Sequence, residues 1–384
     1  MLPYWRLSAY YFFYFAFVGA FSPYFGLYFQ SLGFSAWEIG VLMSLLQVMR
    51  LVAPNLWGWL ADRLGSNMPI VRLAAAMSIV GFMGLFFTTR FGGILAGMTV
   101  LSFFWGAALP LTESVTMSHL GTQSGRYGKI RVWGSVGFIV AVLGCGYLIE
   151  EAPIRALLWV VVALLVGIAA SSLLVPEARA PWHHTDTLRL RQILRRREVA
   201  SLLAACFAMA AAHGALYVFY SIYLVDHGYG KALVGWLWTL GVVAEIGVFL
   251  YMPALLKTFS LRAILLFSFG CAVARFLMIG WGVESLVIIV AAQVLHGATF
   301  GAYHAAAVGA VNRWFGGRHQ ARGQALYSSV SFGAGGMVGG LASGYLWDRI
   351  GPPLTYTLSS AFALAGLLLV WRTFRDPQSP ERRQ

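Results

Sequence analysis

The chain is short of charge, short of acid and nearly without cysteine. Only 11% of its 384 residues are charged, against about a quarter in soluble domains. So little polar surface excludes a water-soluble globule of this length. Asp and Glu number 14 against 27 Lys and Arg, giving a formal charge of +13. That excess would suit a nucleic-acid partner if it were gathered on one face, but it is dispersed over short loops. The three cysteines, Cys145, Cys206 and Cys271, all lie in apolar runs, which argues against a disulfide framework and for plain packing. No metal-spaced cluster, nucleophile elbow, phosphate loop or soluble catalytic or sensor domain is found. Neither an embedded enzyme nor a cofactor or metal is therefore expected. His183 and His184 beside Asp186 lack the further ligands a metal requires.

What is present is apolar: 59% of residues, with 15% aromatic and 43 glycines. Glycine exceeds its usual ~7% share, as it does where small residues let membrane helices approach closely. Apolar runs between loop signals predict spans at 7–30, 37–61, 70–89, 92–119, 129–149, 155–175, 199–225, 232–256, 261–281, 285–312, 323–347 and 352–373. Each is near the ~20 residues that cross a ~30 Å hydrocarbon core. The first run, longer than a ~7–15-residue signal core and with no small-residue cleavage site behind it, reads as a membrane helix. The expected fold is an all-α integral membrane protein of twelve helices in two six-helix bundles, residues 1–175 and 199–384. A basic cytoplasmic linker, residues 176–198, joins them; Leu188, Leu190, Ile193 and Leu194 alternate there with arginines. That stretch suits either a short amphipathic helix on the inner leaflet or a solvated linker.

Orientation follows from Lys and Arg. With the N-terminus inside, only Arg90, Arg155, Lys231 and Arg349 fall on outer loops, and Arg50, Arg131 and Arg275 lie deep inside spans. All other cations lie on inner loops, tails or the inner ends of spans, which predicts two cytoplasmic termini in a cytoplasmic (inner) membrane.

The first inner hairpin reads Gly58-Trp59-Leu60-Ala61-Asp62-Arg63-Leu64-Gly65. It resembles the G-x-L-A-D-R-x-G signature of the major facilitator superfamily, with Ser66 and Asn67 in place of the usual following basic residues. Gly58, Asp62, Arg63 and Gly65 are therefore the expected gating motif. Gly58 would permit close packing, and Asp62 would accept hydrogen bonds from a neighbouring helix start. A second string, Gly344-Tyr345-Leu346-Trp347-Asp348-Arg349-Ile350-Gly351, follows the eleventh run on the opposite side of the membrane, which is compatible with inverted three-helix repeats and equally with chance recurrence of a short string. That run carries Gly333, Gly335, Gly336, Gly339, Gly340 and Gly344, a spacing for tight helix crossings.

Ionisable groups inside spans are costly and are usually paired or functional. Arg50 lies about 18 Å into its helix at ~1.5 Å per residue. Glu113 and Arg131 sit at similar depth on consecutive spans, as do Glu245 and Arg275 in the second half, so each couple can pair. A fixed structural bridge would satisfy the same spacing. His213, His296 and His304 add polar groups at central depth. Tyr24, Trp133, Tyr217, Phe300 and Tyr303 could stack on an apolar substrate, although packing explains most aromatics in such a chain.

Tyr127-Gly128-Lys129-Ile130-Arg131-Val132-Trp133-Gly134-Ser135-Val136-Gly137-Phe138 resembles the fifth-helix signature of the group holding lactose permease and 3-phenylpropionate transporters. The run from Leu295 to His304 is closer to the phenylpropionate branch. The resemblance implies a proton-coupled secondary transporter working by alternating access, with an aromatic monocarboxylate such as 3-phenylpropionate the leading substrate. A sugar or nucleoside symporter and an efflux carrier are the alternatives. It places Glu113 and Arg131 in the substrate-binding acid–arginine pair, and Glu245, Arg275 and His296 in the proton-coupling polar group. Thr299 stands where the permease has its proton-carrying glutamate, and the seventh span holds His213 but no buried acid. Glu245 or Glu113 would then inherit the proton. Arg50, Glu113, Arg131, Tyr24, Trp133, Tyr217, Phe300 and Tyr303 are the expected substrate residues, and Glu245, Arg275, His296 and His304 the coupling residues. The expected partners are a small molecule, protons and the bilayer, with a monomer as the working unit.

Overall fold

A computed structural model of the chain describes residues 2–178, 193, 196–315 and 320–376. All twelve expected runs are helical. They are α1 (Tyr4–Ser31), α2 (Ala36–Leu64), α3 (Met68–Phe86), α4 (Phe91–Leu120), α5 (Tyr127–Glu151), α6 (Ala156–Leu174), α7 (Arg197–Asp226), α8 (Lys231–Thr258), α9 (Leu261–Trp281), α10 (Leu286–Trp314), α11 (residues 320–350) and α12 (Pro352–Thr373). Among the described residues, eleven of these are long and apolar enough to cross a membrane. The twelfth, α11, is diluted by the glycines and serines that let it pack closely. Apolar side chains on the outside, such as Val287 at 78% exposure and Leu250 at 76%, suit lipid rather than water. The amphipathic helix considered for residues 188–197 falls almost wholly outside the described residues.

Helix ends follow local chemistry. Ser35 and Glu38 form a capping box at the start of α2, and Ser260 accepts from Ala263 N–H at the start of α9, each satisfying an otherwise orphaned donor. Gly65 ends α2 with φ +65°, and Gly351 ends α11 with φ +81°. A side chain at either position would be strained. Both repeats of the sequence string therefore end a helix at a glycine of positive φ, Gly65 with ψ 20° and Gly351 with ψ 163°. In both, the arginine lies over the aromatic ring one turn earlier: Arg63 over Trp59 at 5.4 Å and Arg349 over Tyr345 at 3.5 Å.

The helices group into two compact units. One comprises Met1–Trp182 with Tyr217–Thr239, the other His183–Leu216 with Leu240–Gln384. In the first unit α1 is the buried centre, packed along α5 and α6. A Cβ on Gly137 would run into the Phe12 carbonyl, and one on Gly19 would sit 2.5 Å from the Phe138 carbonyl oxygen. In the second unit α7 and α11 meet in the same manner, where Gly214 abuts Gly339 and Gly339 abuts Ala211. Likewise α3 packs on α6 and α9 on α12, so the two halves of the sequence repeat one packing plan. Residues 217–239, the end of α7 and the start of α8, cluster with the first unit. Lys231 Nζ donates to the Ile149 carbonyl at 2.9 Å, and Ala232 N–H donates to Glu150 at 3.0 Å. Helix α7 is interrupted at His213, between Ala212 and Gly214.

Candidate functional site

Two polar clusters lie within the helices, one in each unit. In the first, Glu113 of α4 accepts a hydrogen bond from Tyr127 Oη of α5 at 3.1 Å. One turn along, Thr116 accepts from Tyr11 of α1 at 3.3 Å and itself donates to the Thr112 carbonyl at 2.8 Å. Arg131 does not take the expected place against Glu113. Its guanidinium lies over the Phe15 ring, 3.7 Å from the centroid. The physical reason is room: Gly134 has no side chain, and a Cβ there would come within 2.6 Å of the Phe15 ring and 2.7 Å of Arg131 Nη1. Arg50 of α2 is half-buried and acts electrostatically on Tyr14, whose ring stacks on Trp105 at 4.5 Å.

The aromatic candidates of this unit are engaged in packing. Tyr24 is fully buried and donates to the Val142 carbonyl at 2.7 Å. Its hydroxyl fits there because Gly146 and Gly235 carry no Cβ. Trp133 gives its Nε1–H to Tyr4 Oη at 3.1 Å and meets Trp5 edge-on. Tyr217 stacks on Trp238 with centroids 6.2 Å apart.

In the second unit Arg275 of α9 is completely buried. Its Nε donates to the Ala292 carbonyl at 2.9 Å, Nη1 to Thr299 Oγ1 at 3.0 Å and Nη2 to Gln293 Oε1 at 3.1 Å. Nη1 also stands 3.5 Å from His213 Nε2. His213 Nδ1 is 2.8 Å from the Met209 carbonyl, so the proton belongs on Nδ1 and Nε2 is left to accept from Arg275. His296 Nε2 approaches Glu245 Oε2 at 3.8 Å. A column of rings runs from His296 through Phe300 to His304, with centroid separations of 5.5 and 5.9 Å. His304 Nδ1 ends it, 2.8 Å from Tyr327 Oη. Residues 297–302 form a π-helical turn within α10, a backbone irregularity that recurs at functional sites. Tyr303 is buried, edge-on to Phe269 and 3.4 Å from the Cys206 carbonyl, within the packing of α7, α9 and α10.

The gating motif needs two corrections. A Cβ on Gly58 would meet nothing within 4 Å, so this glycine is not there for close packing. Asp62 is exposed, and no hydrogen bond or ion pair to it is found among the described residues. The helix start it was expected to serve is served by Glu177 instead. Glu177 Oε2 accepts from Asn67 N–H at 2.9 Å and Met68 N–H at 2.8 Å. A carboxylate there neutralises the positive end of α3. The second half repeats the device: Asp376 Oδ1 accepts from Arg262 N–H at 2.9 Å at the start of α9.

Sequence reading missed Phe15, Tyr11, Gln293 and Glu177. Tyr127 lay inside the quoted fifth-helix string without being singled out, and Gln293, one turn before His296, could have been found by helical spacing. No local signal marks Phe15 or Glu177, whose partners are remote in sequence.

Residues 4–358 match the model of the MFS_1 like family. A probable 3-phenylpropionic acid transporter of Escherichia coli is 28% identical over 354 residues, covering 89% of this chain and 90% of the relative. A maltose permease of Geobacillus stearothermophilus is 27% identical, covering 94% and 92%. A crystal structure of a point mutant of the nucleoside transporter NupG superimposes with a TM-score of 0.85 at 17% identity, covering 97% of this chain and 99% of that one.

Proposed function

The chain belongs to the MFS_1 like family, and from that premise we propose that this secondary transporter performs proton-coupled symport of an aromatic monocarboxylate, 3-phenylpropionate being the leading candidate. The observation that carries the proposal is the Arg131–Phe15 arrangement. A guanidinium and an aromatic face lie together, and the acid nearest in sequence, Glu113, is bonded to a phenol instead. Such a site offers a charge for a carboxylate and a ring for a ring. The relative named as a probable 3-phenylpropionic acid transporter supports the same substrate class. Arg50 would assist with the anion. Glu245 beside His296, and Glu113, are the carboxyl groups within spans that can take a proton. Alternating access would rock residues 1–175 against 199–384 in a cytoplasmic membrane with both termini inside, the monomer being the working unit.

One observation favours a second reading. Glu113, Tyr127, Tyr11 and Thr116 form a hydroxyl-rich group that could bond a sugar or nucleoside. The relatives include a maltose permease and a putative nucleoside transporter. The deciding experiment is uptake of labelled 3-phenylpropionate, a disaccharide and a nucleoside into proteoliposomes, with and without an inward proton gradient. Protonophore-sensitive, gradient-stimulated uptake of the acid alone is expected. Flux of the sugar or nucleoside without the acid would transfer the assignment, and stimulation only by the opposite gradient would make the protein an exporter.

A further inference from the structure

We propose that Glu113 and Arg131 are one switch, in which a neutral Glu113 leaves Arg131 to the substrate carboxylate and an ionised Glu113 reclaims it. The proposal rests on the proton–anion reading above and adds how one site enforces it. Tyr127 is a neutral donor to Glu113, while Arg131, the full charge acting on that carboxyl, lies on Phe15. A cation–π contact is worth about 0.5–2 kcal/mol. A charge-assisted arginine–carboxylate bond in a low-dielectric interior is stronger. Once ionised, Glu113 therefore draws the guanidinium off the ring, and once protonated it cannot compete. Arg131 then has one carboxylate at a time, either its own neighbour's or the substrate's.

The groups around Glu113 agree with this assignment. From α1 come the phenols of Tyr11 and Tyr14. From α2 comes Arg50, acting on Tyr14. From α5 come Tyr127 and Arg131. Arg72 of α3 is turned to the Ser172 and Val175 carbonyls of α6. Arg126 in the α4–α5 connection bonds Gln123, and His119, further along α4, reaches the Pro176 carbonyl. Glu245 differs, because it lies in a cluster that holds two histidines and the buried Arg275.

The steps balance. A proton from water on the source side adds to the Glu113 carboxylate, and Arg131 is released. The substrate monoanion pairs with Arg131, and the loaded site carries no more charge than the empty one. On the far side the anion leaves, Glu113 gives its proton to water, and Arg131 returns to it. One proton thus moves with one monocarboxylate, so transport is electroneutral.

The test uses the full-length protein and 3-phenylpropionate. In the wild type, affinity should fall about tenfold per pH unit once Glu113 ionises. In Glu113→Gln, which stays neutral, binding and counterflow exchange should persist across that range, while gradient-driven accumulation is lost. A potassium-diffusion potential alone should drive no uptake in the wild type. Tyr127→Phe, which removes the donor that favours the ionised carboxylate, should extend binding to higher pH. Four results would overturn the switch: accumulation retained by Glu113→Gln but lost by Glu245→Gln; binding abolished by Glu113→Gln; potential-driven uptake; or an unchanged binding profile in Tyr127→Phe. Failure of the wild type to take up the acid under any gradient would instead overturn the functional reading itself, so the two failures are distinguishable.

Discussion

Arg131 rests on Phe15 with its guanidinium 3.7 Å from the ring centroid. The contact exists because Gly134, one turn along α5, has no side chain to fill the space both groups occupy. Gly134→Ala should therefore displace both without disturbing the backbone crossing at Gly137. Loss of an aligned cation–ring pair worth about 1 kcal/mol corresponds to a several-fold weaker affinity for an aromatic acid. Titration of 3-phenylpropionate against purified protein measures it. Wild-type affinity in Gly134→Ala would show that the arrangement has no part in binding.

Glu177 and Asp376 each stand just beyond the last helix of one half and cap the third helix of that half. Removing a cap costs about 1 kcal/mol, so Glu177→Ala and Asp376→Ala should each lower the melting temperature in detergent. Asp62→Ala should leave it nearly unchanged, because Asp62 is exposed and has no hydrogen bond or ion pair among the described residues. A larger drop for Asp62→Ala than for Glu177→Ala would contradict the assignment of caps.

Arg275 is completely buried within a network of hydrogen bonds. It donates to three acceptors on α10 and faces His213 of α7. Arg275→Ala would deprive Gln293 and Thr299 of that donor, each buried orphan costing about 1–3 kcal/mol. Lysine, a single point charge, cannot reproduce the fork. Both variants should give little monodisperse protein, and the little obtained should melt early. A melting curve for Arg275→Ala that matched the wild type would show the network to be dispensable.

The helices were legible because the bilayer imposes one rule on every span, and apolar runs report it directly. Predicted and observed ends differ by only a few residues, as at α5, expected over 129–149 and found at Tyr127–Glu151. Spacing also set Glu113 at the depth of Arg131, since antiparallel neighbours match depth, and Arg131 does act on the Glu113 carboxyl. It did not say which way a long side chain turns. Arg131 acts electrostatically on Glu113 yet lies over Phe15, in space that the absence of a Cβ at Gly134 leaves open. Asp62 illustrates the opposite error, where a matched motif suggested a contact that Glu177, far along the chain, has taken.

The sequence by itself determined a twelve-helix membrane protein and its superfamily, the repeat of its two halves, and the short set of buried charges from which any site must be built. The helices and the buried charges follow from composition and period, which act residue by residue, and the superfamily from the resemblance of the Gly58–Gly65 string. Only the tertiary structure decided that Tyr127 holds Glu113, that Phe15 holds Arg131, that Arg275 is walled in by α10, and that Tyr24 and Tyr303 are buried packing. Those outcomes depend on which of several reachable partners leaves the fewest polar groups unsatisfied in a medium without water. That choice is made between helices, and no single stretch of sequence contains it.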